Sequence, residues 1–355
     1  MNESGIKLSV VVAAYNEEAV ISRNMQRIVE ELSTRPKVTW ELLCINDGSK
    51  DKTGVHMDEF AQKDARVRIF HHRRNFGQGR ALRTAFDMCK GEIVVTLDAD
   101  LSYDPKYIYR LVDAISSENV DIALASAYAK GGSVSNVPFY RYILSRWGNR
   151  YLAGMSRYSI STSTCVVRSY RREVIDTICL TSDGMELQLE ILMKAAMMRF
   201  KVCEIPANLK WADNKAAEAS LSRTSKMRII STIRMYLLMG WLSRPAYAFI
   251  IASFMLIGVG LYMAACVFYR ILAAISRHIN EGFIQALTSS LNEVFETYTY
   301  TIAFSSAFLL IGIQILAFAL VALQNKFYFE ELYRIGQKST RDKSITPDNL
   351  RFKNH

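Results

Sequence analysis

Two carboxylates one residue apart, Asp98 and Asp100, close a short apolar run from Ile93 to Leu97. Hard oxygen donors placed there suit Mg²⁺ or Mn²⁺ bridging a diphosphate, with the substrate's own oxygens completing the shell. A cation so held would neutralise charge building on a departing nucleotide. Two acids this close also arise as a solvated turn, and the triplet alone does not separate the two readings. Its company adds weight. Asn16-Glu17, Asp47 and Asn75 fall in the same kind of position, at or just beyond the ends of other apolar runs.

Those runs read as strands alternating with helices. Leu8 to Ala14 is short, apolar and β-branched, fit for a strand buried on both faces. Glu17 to Leu32 has helical spacing, with Ile21, Met25, Ile28 and Leu32 on one face. Strands follow at Trp40 to Ile45, Val67 to Phe70 and Ile93 to Leu97, with helices at Thr53 to Ala61 and Gly79 to Cys89. Such alternation implies an α/β domain with a mostly parallel sheet covered on both faces. Ligands of such sheets bind beyond the carboxyl ends of the strands, where the polar clusters gather.

The chain of 355 residues has room for one large domain and an appendage. Its net charge of +10 favours an acidic partner. Nucleic acid is the weaker choice, because two membrane-length apolar segments give the Lys and Arg another use. Ala246 to Tyr269 and Thr301 to Gln324 are each 24 residues without a charge, enough to cross about 30 Å of hydrocarbon. Arg223, Lys226, Arg228, Arg234 and Arg244 precede the first segment, and Lys326, Arg334, Lys338, Arg341 and Lys343 follow the second. The loop between them has only Arg270 and Arg277, offset by Glu281, Glu293 and Glu296. Both termini are therefore expected in the cytosol. The N-terminus agrees, since it lacks the pattern of a signal peptide. An interfacial helix is expected at 227–245 and another amphipathic helix around Ile284 to Phe295. Gly258 and Gly260 offer close approach for a homo-oligomer. The six cysteines form no CxxC pair, which favours reduced thiols over zinc or disulfides.

Four ordered motifs resemble the family 2 inverting glycosyltransferases with the GT-A fold, over about residues 6 to 230: SVVVAAYNEE, NDGSKDKT, RRNFGQGRAL and LDADLSYDP. The resemblance implies a Rossmann-like GT-A domain at 1–226, and a nucleotide-sugar donor lined by Ala14, Tyr15, Glu17, Asp47, Asn75, Gln78 and Asp98. It implies that the metal sits on Asp98 and Asp100. Lys130-Gly131-Gly132, then Arg141, Ser145 and Asn149, and later Arg223-Thr224-Ser225-Lys226, are similar to the polyprenyl-phosphate branch that includes dolichol-phosphate mannose synthases. By that likeness Arg141, Ser145 and Lys226 bind the acceptor phosphate, with Asp100 and Arg141 central to catalysis. A generic basic face near anionic lipid would also account for Lys226.

The departures bear on chemistry. Ser102 stands where the branch often has Gln, so water would take the third place on the metal. Ala127 replaces an expected arginine, for which Arg80 or Arg146 could substitute. The acid expected before a Thr-Ser-Gly turn is missing from Ser161-Thr162-Ser163-Thr164-Cys165, leaving Asp183 or Glu186 as the next candidates for a base. A phosphomonoester is already a dianion near neutral pH and needs no base. The expectation is thus sugar transfer from a UDP- or GDP-sugar to a polyprenyl phosphate at the cytosolic membrane face. Spans at 246–270 and 301–324 would flank an outer loop at 271–300, with a cytosolic tail at 325–355. Two other readings stay open: transfer to a lipid alcohol or growing polysaccharide, and a membrane scaffold without activity.

Overall fold

The computed structural model describes residues 7–137, 139–155, 158, 160–210, 245–278 and 282–344. In chain order the elements are β1 (Leu8–Ala14), α1 (Ile21–Ser33), β2 (Trp40–Asn46), α2 (Thr53–Ala61), β3 (Val67–His71), α3 (Gln78–Met88), β4 (Ile93–Asp98), α4 (Tyr107–Ser117) and β5 (Ile122–Ser126). Then come β6 (Ser133–Ser135), α5 (Phe139–Met155), β7 (Arg168–Arg171), α6 (Arg172–Thr177), α7 (Leu187–Met197), β8 (Val202–Pro206) and β9 (Asn208–Lys210). The long helices α8 (Pro245–His278), α9 (Phe283–Thr297) and α10 (Thr299–Ser344) follow.

Seven strands form one sheet in the order β3-β2-β1-β4-β7-β5-β8. All its pairings are parallel except those of β7, which runs antiparallel between β4 and β5. This is the mostly parallel α/β domain expected from the GT-A likeness. Strand order reverses between β1 and β4, which opens a crevice at their carboxyl ends. Alternating side chains of β1 feed the two faces. Val10 and Val12 pack with Met25, Ile28 and Leu32 on one side, while Val11 packs with Ala81, Leu82, Ala85 and Phe86 on the other. Burying each large apolar side chain contributes about 1.5–3 kcal/mol, enough to fix which residues face the crevice.

The helix expected from Glu17 starts later, at Ile21. Asn16 has a left-handed backbone, φ 55°. The Glu17 amide donates to Thr53 Oγ1 at 2.8 Å, and the Glu18 amide to Asp51 Oδ2 at 3.3 Å. The loop after β2 therefore holds this segment out of the helix and beside the crevice.

The chain divides into two compact units, Met1–Ser243 with Tyr333–His355, and Arg244–Leu332. Within the second, α8 and α10 supply two segments long and apolar enough to cross a membrane, Ala246–Arg277 and Thr299–Tyr333. Only 11% of each apolar window is buried, unlike the core helix of a soluble protein. Gly260 serves a close approach inside the chain. A Cβ there would lie 2.8 Å from Leu309 Cγ, and Ser305 Oγ donates to the Gly260 carbonyl at 2.9 Å. Gly258 has nothing within 4 Å. In α9, Ala286, Ser290 and Val294 are buried, and Glu293 pairs with Arg277 of α8 at 2.8 Å. All six cysteines are unpaired.

Candidate active site

The turn that carries the two carboxylates is held from three directions. Asp98 ends β4 in register with Ala13 of β1, which sets it at the lip of the crevice. The next turn needs Leu101 in the left-handed region, φ 52°, a conformation that a branched residue takes only when its surroundings impose it. They do so here. Buried Asn24 donates to the Ala99 carbonyl at 2.8 Å, and the Lys210 amide donates to the Ser102 carbonyl at 2.8 Å. Ser102 in turn steadies Asp100, whose oxygens accept its amide at 2.9 Å and its hydroxyl at 2.7 Å. Asn24 was not legible as a site residue, because it sits within the apolar stripe of α1.

Negative charge is crowded here. Burial first, then Asp100 and Asp51, push Glu17 up to about 7. Burial and Asp100 likewise push Asp98 up to about 7, although Gln78 Nε2 approaches its Oδ1 at 3.4 Å. Glu17 and Asp98, both raised beside the charge of Asp100, form a site that favours a cation. Among the described residues no group of three His, Cys, Asp or Glu side chains is gathered as a ready metal cage. The donor set therefore fits a cation that takes part of its shell from a bound diphosphate.

Other residues expected at the nucleotide surround this turn. Tyr15 is exposed and Ala14 is buried, its carbonyl accepting the Asp47 amide at 2.9 Å. Asp47 itself faces inward. Its carboxylate accepts the amides of Phe76 at 3.0 Å and Gly77 at 2.9 Å, and meets His72 Nδ1 at 2.7 Å. It thus shapes the loop that presents exposed Asn75 and, one residue later than Gly77, Gln78. Gly77 has φ 104°, and a Cβ there would lie 2.5 Å from the Asp183 carbonyl oxygen. Gly77→Ala is expected to lower stability by about 2–3 kcal/mol and to weaken donor binding, measurable by thermal unfolding and nucleotide titration.

The candidates for a base are engaged elsewhere. Asp183 pairs with Arg83 at 2.7 Å, and Glu186 Oε1 accepts the Gly184 amide at 3.0 Å. Where the family acid is missing, Thr162 Oγ1 meets Ser126 Oγ at 2.8 Å, and both the amide and hydroxyl of Ser161 donate to Glu204 at 2.8 Å. Burial pushes the Cys165 thiol up to about 12, with Asp98 adding to the shift and Arg168 opposing it. The Arg168 guanidinium, which the sequence did not single out, donates through Nε to the Cys165 carbonyl at 2.7 Å.

Ser145 lies on α5, where Asn149 Nδ2 donates to its carbonyl at 2.9 Å. Arg146 donates to the Tyr142 hydroxyl at 2.6 Å, and Arg80 is exposed at the start of α3. Arg141 belongs to the first turn of α5. Its side chain, like Lys226 and the interfacial segment 227–244, lies outside the described residues.

A mostly parallel sheet with carboxylates at its crevice is an α/β domain suited to hold a nucleotide and a cation beyond its strand ends. Residues 9–179 match the model of glycosyl transferase family 2. Polyprenol monophosphomannose synthase of Mycolicibacterium smegmatis is 35% identical over 205 residues, which are 56% of this chain and 75% of the relative. Dolichol-phosphate mannosyltransferase of Pyrococcus furiosus is 30% identical over 204 residues, 57% of this chain and 56% of that one. Dodecaprenyl-phosphate galacturonate synthase of Rhizobium johnstonii is 25% identical over 246 residues, 69% and 70%. The chain belongs to glycosyl transferase family 2, and it is a glycosyltransferase.

Proposed function

We propose that this enzyme transfers a sugar from a UDP- or GDP-sugar to a polyprenyl phosphate at the cytosolic face of a membrane. The observation that carries the acceptor is on α5. Phe139, Ile143 and Trp147 form an exposed apolar stripe at helical spacing, with Tyr151 stacked on Trp147. The helix that bears Ser145 thus offers one face to a hydrocarbon tail, while Ser145 and buried Asn149 lie on its opposite face. The names of the relatives support a polyprenyl phosphate, and they differ in sugar, so the sugar is left open.

The membrane reading rests on α8 and α10. Tyr247 and Tyr269 are both exposed on α8, about 33 Å apart along the helix, the separation of two interfacial aromatic belts. The clusters of Lys and Arg outside the spans favour cytosolic termini.

Asp98 and Asp100 would hold Mg²⁺ or Mn²⁺, which when bound offsets charge on the diphosphate leaving group. Asp47 keeps the 72–77 loop shaped for the nucleotide, and Glu17 borders it. Arg141, Ser145 and Lys226 would grip the acceptor phosphate, with arginine suited to clamp two oxygens at once. One acceptor oxygen attacks the anomeric carbon as the bond to the nucleoside diphosphate breaks, and the bonding pair leaves with the diphosphate. A single displacement inverts the anomeric centre.

Incubating the full chain in detergent with UDP- and GDP-sugars and undecaprenyl or dolichyl phosphate tests this. Mass spectrometry should find a lipid-phosphate sugar made from one donor. Transfer only to diacylglycerol or a glycan would overturn the acceptor reading, and no turnover with any pair would favour the inactive scaffold.

A further inference from the structure

Arg168 is the least expected side chain in the domain. It sits on β7 opposite Thr96, two residues below Asp98 on the neighbouring strand, and it is 0% exposed. Among the described residues no carboxylate pairs with it. Three backbone carbonyls do: Nε donates to Cys165 at 2.7 Å, Nη1 to Gln188 at 2.9 Å and Nη2 to Ser163 at 2.6 Å. A buried charge is costly, and a planar fork with five donors is the side chain able to satisfy carbonyls from separate segments.

Ser163 continues the connection. Among the described residues its buried hydroxyl has no hydrogen-bond partner, and its contribution is the backbone. Its carbonyl goes to Arg168, and its amide donates to Asn149 Oδ1 at 2.7 Å. Asn149 is 1% exposed, and its Nδ2 reaches the Ser145 carbonyl at 2.9 Å and hydroxyl at 3.4 Å. A continuous chain of hydrogen bonds thus runs from half-buried Ser145 on α5, through buried Asn149, Ser163 and Arg168, to Gln188 on α7.

We propose that Asn149 and Arg168 are positioning residues that tie the acceptor helix α5 to the Ser163–Cys165 turn and α7. This rests on the acceptor reading above. The strut keeps the phosphate seat at Ser145 in register with the carboxylates that face the donor. Register matters because displacing a nucleophile by about 1 Å costs on the order of 10²-fold in rate.

The test uses the full chain with Asn149→Ala, Arg168→Lys and the double variant, measuring kcat, both KM values and the Kd for nucleoside diphosphate. Each single change is expected to lower acceptor kcat/KM by about tenfold or more, because a buried polar group loses its partner. Nucleotide Kd should stay within about twofold, and the double variant should lose no more than the worse single, since a strut already cut cannot be cut again. Additive losses, or a matching loss of nucleotide affinity, would overturn the proposal.

Hydrogen exchange keeps the idea testable should Arg168→Lys fail to fold, or should the parent prove inactive on polyprenyl phosphate. Asn149→Ala should then speed exchange through residues 163–166 and at the start of α7. A change confined to α5 would sink the strut. Inactivity of the parent would by contrast count only against the acceptor reading.

Discussion

Asp100→Ala is expected to abolish transfer whatever lipid is offered, with kcat falling by about 10³-fold or more. Asp100 is the carboxylate that Ser102 orients through two hydrogen bonds, and its charge is a cause of the raised values at both Glu17 and Asp98. Removing it relieves the crowding that a cation would otherwise relieve. Loss of Mn²⁺ binding in the presence of nucleoside diphosphate should therefore accompany the loss of turnover. An Asp100→Ala protein with near-normal transfer would end the metal assignment. The sign of the pH effect follows as well. Asp98 and Glu17 hold protons in the fold up to about 7 but release them near 4 when unfolded. The unfolded chain binds fewer protons in that window, so the chelated protein loses stability as pH rises through it. Cation affinity runs the other way and weakens as pH falls below about 7.

The sequence disclosed what periodicity and strand ends can disclose. The strand at Leu8–Ala14 and the helix at Thr53–Ala61 lie where their patterns put them, because apolar spacing decides which faces are buried. Asp98 was readable as a crevice residue because a charge ended an apolar run. Glu17 shows the limit. Helical spacing extends over it, yet hydrogen bonds from a loop more than thirty residues away hold it outside the helix. The pair β6–β9 joins two three-residue strands from distant parts of the chain, too short for any period to show. Arg168 was hidden for a related reason. An arginine in a strand suggests an exposed position, and its burial depends on carbonyls that only the tertiary fold brings together. Asn149 was visible through family likeness alone, without the partner that gives it a role.

Polyprenol in place of polyprenyl phosphate is expected to accept sugar at least about 10³-fold more slowly, because an alcohol needs its proton taken as it attacks. A phosphomonoester does not, since its second ionisation near pH 6 leaves a dianion at neutral pH. The arrangement around the missing acid favours the charged acceptor. Thr162 is turned to Ser126, both oxygens of Glu204 are taken by Ser161, Asp183 is paired with Arg83, and Glu186 is folded onto its own loop. Glu17 is the exception to weigh, for a carboxylate raised to about 7 is poised to accept a proton. Its position on the nucleotide side, beside Asp51 and Asp100, sets it with the donor. Comparing the two lipids over pH 5.5 to 8.5 (a range of about one and a half units either side of 7) separates the roles. Activity confined to the phosphate, insensitive to Glu17→Gln except through donor KM, fits a nucleophile that arrives already charged. Comparable use of the alcohol, with a rate rising through about pH 7 and lost in Glu17→Gln, would make Glu17 the base and the acceptor an alcohol.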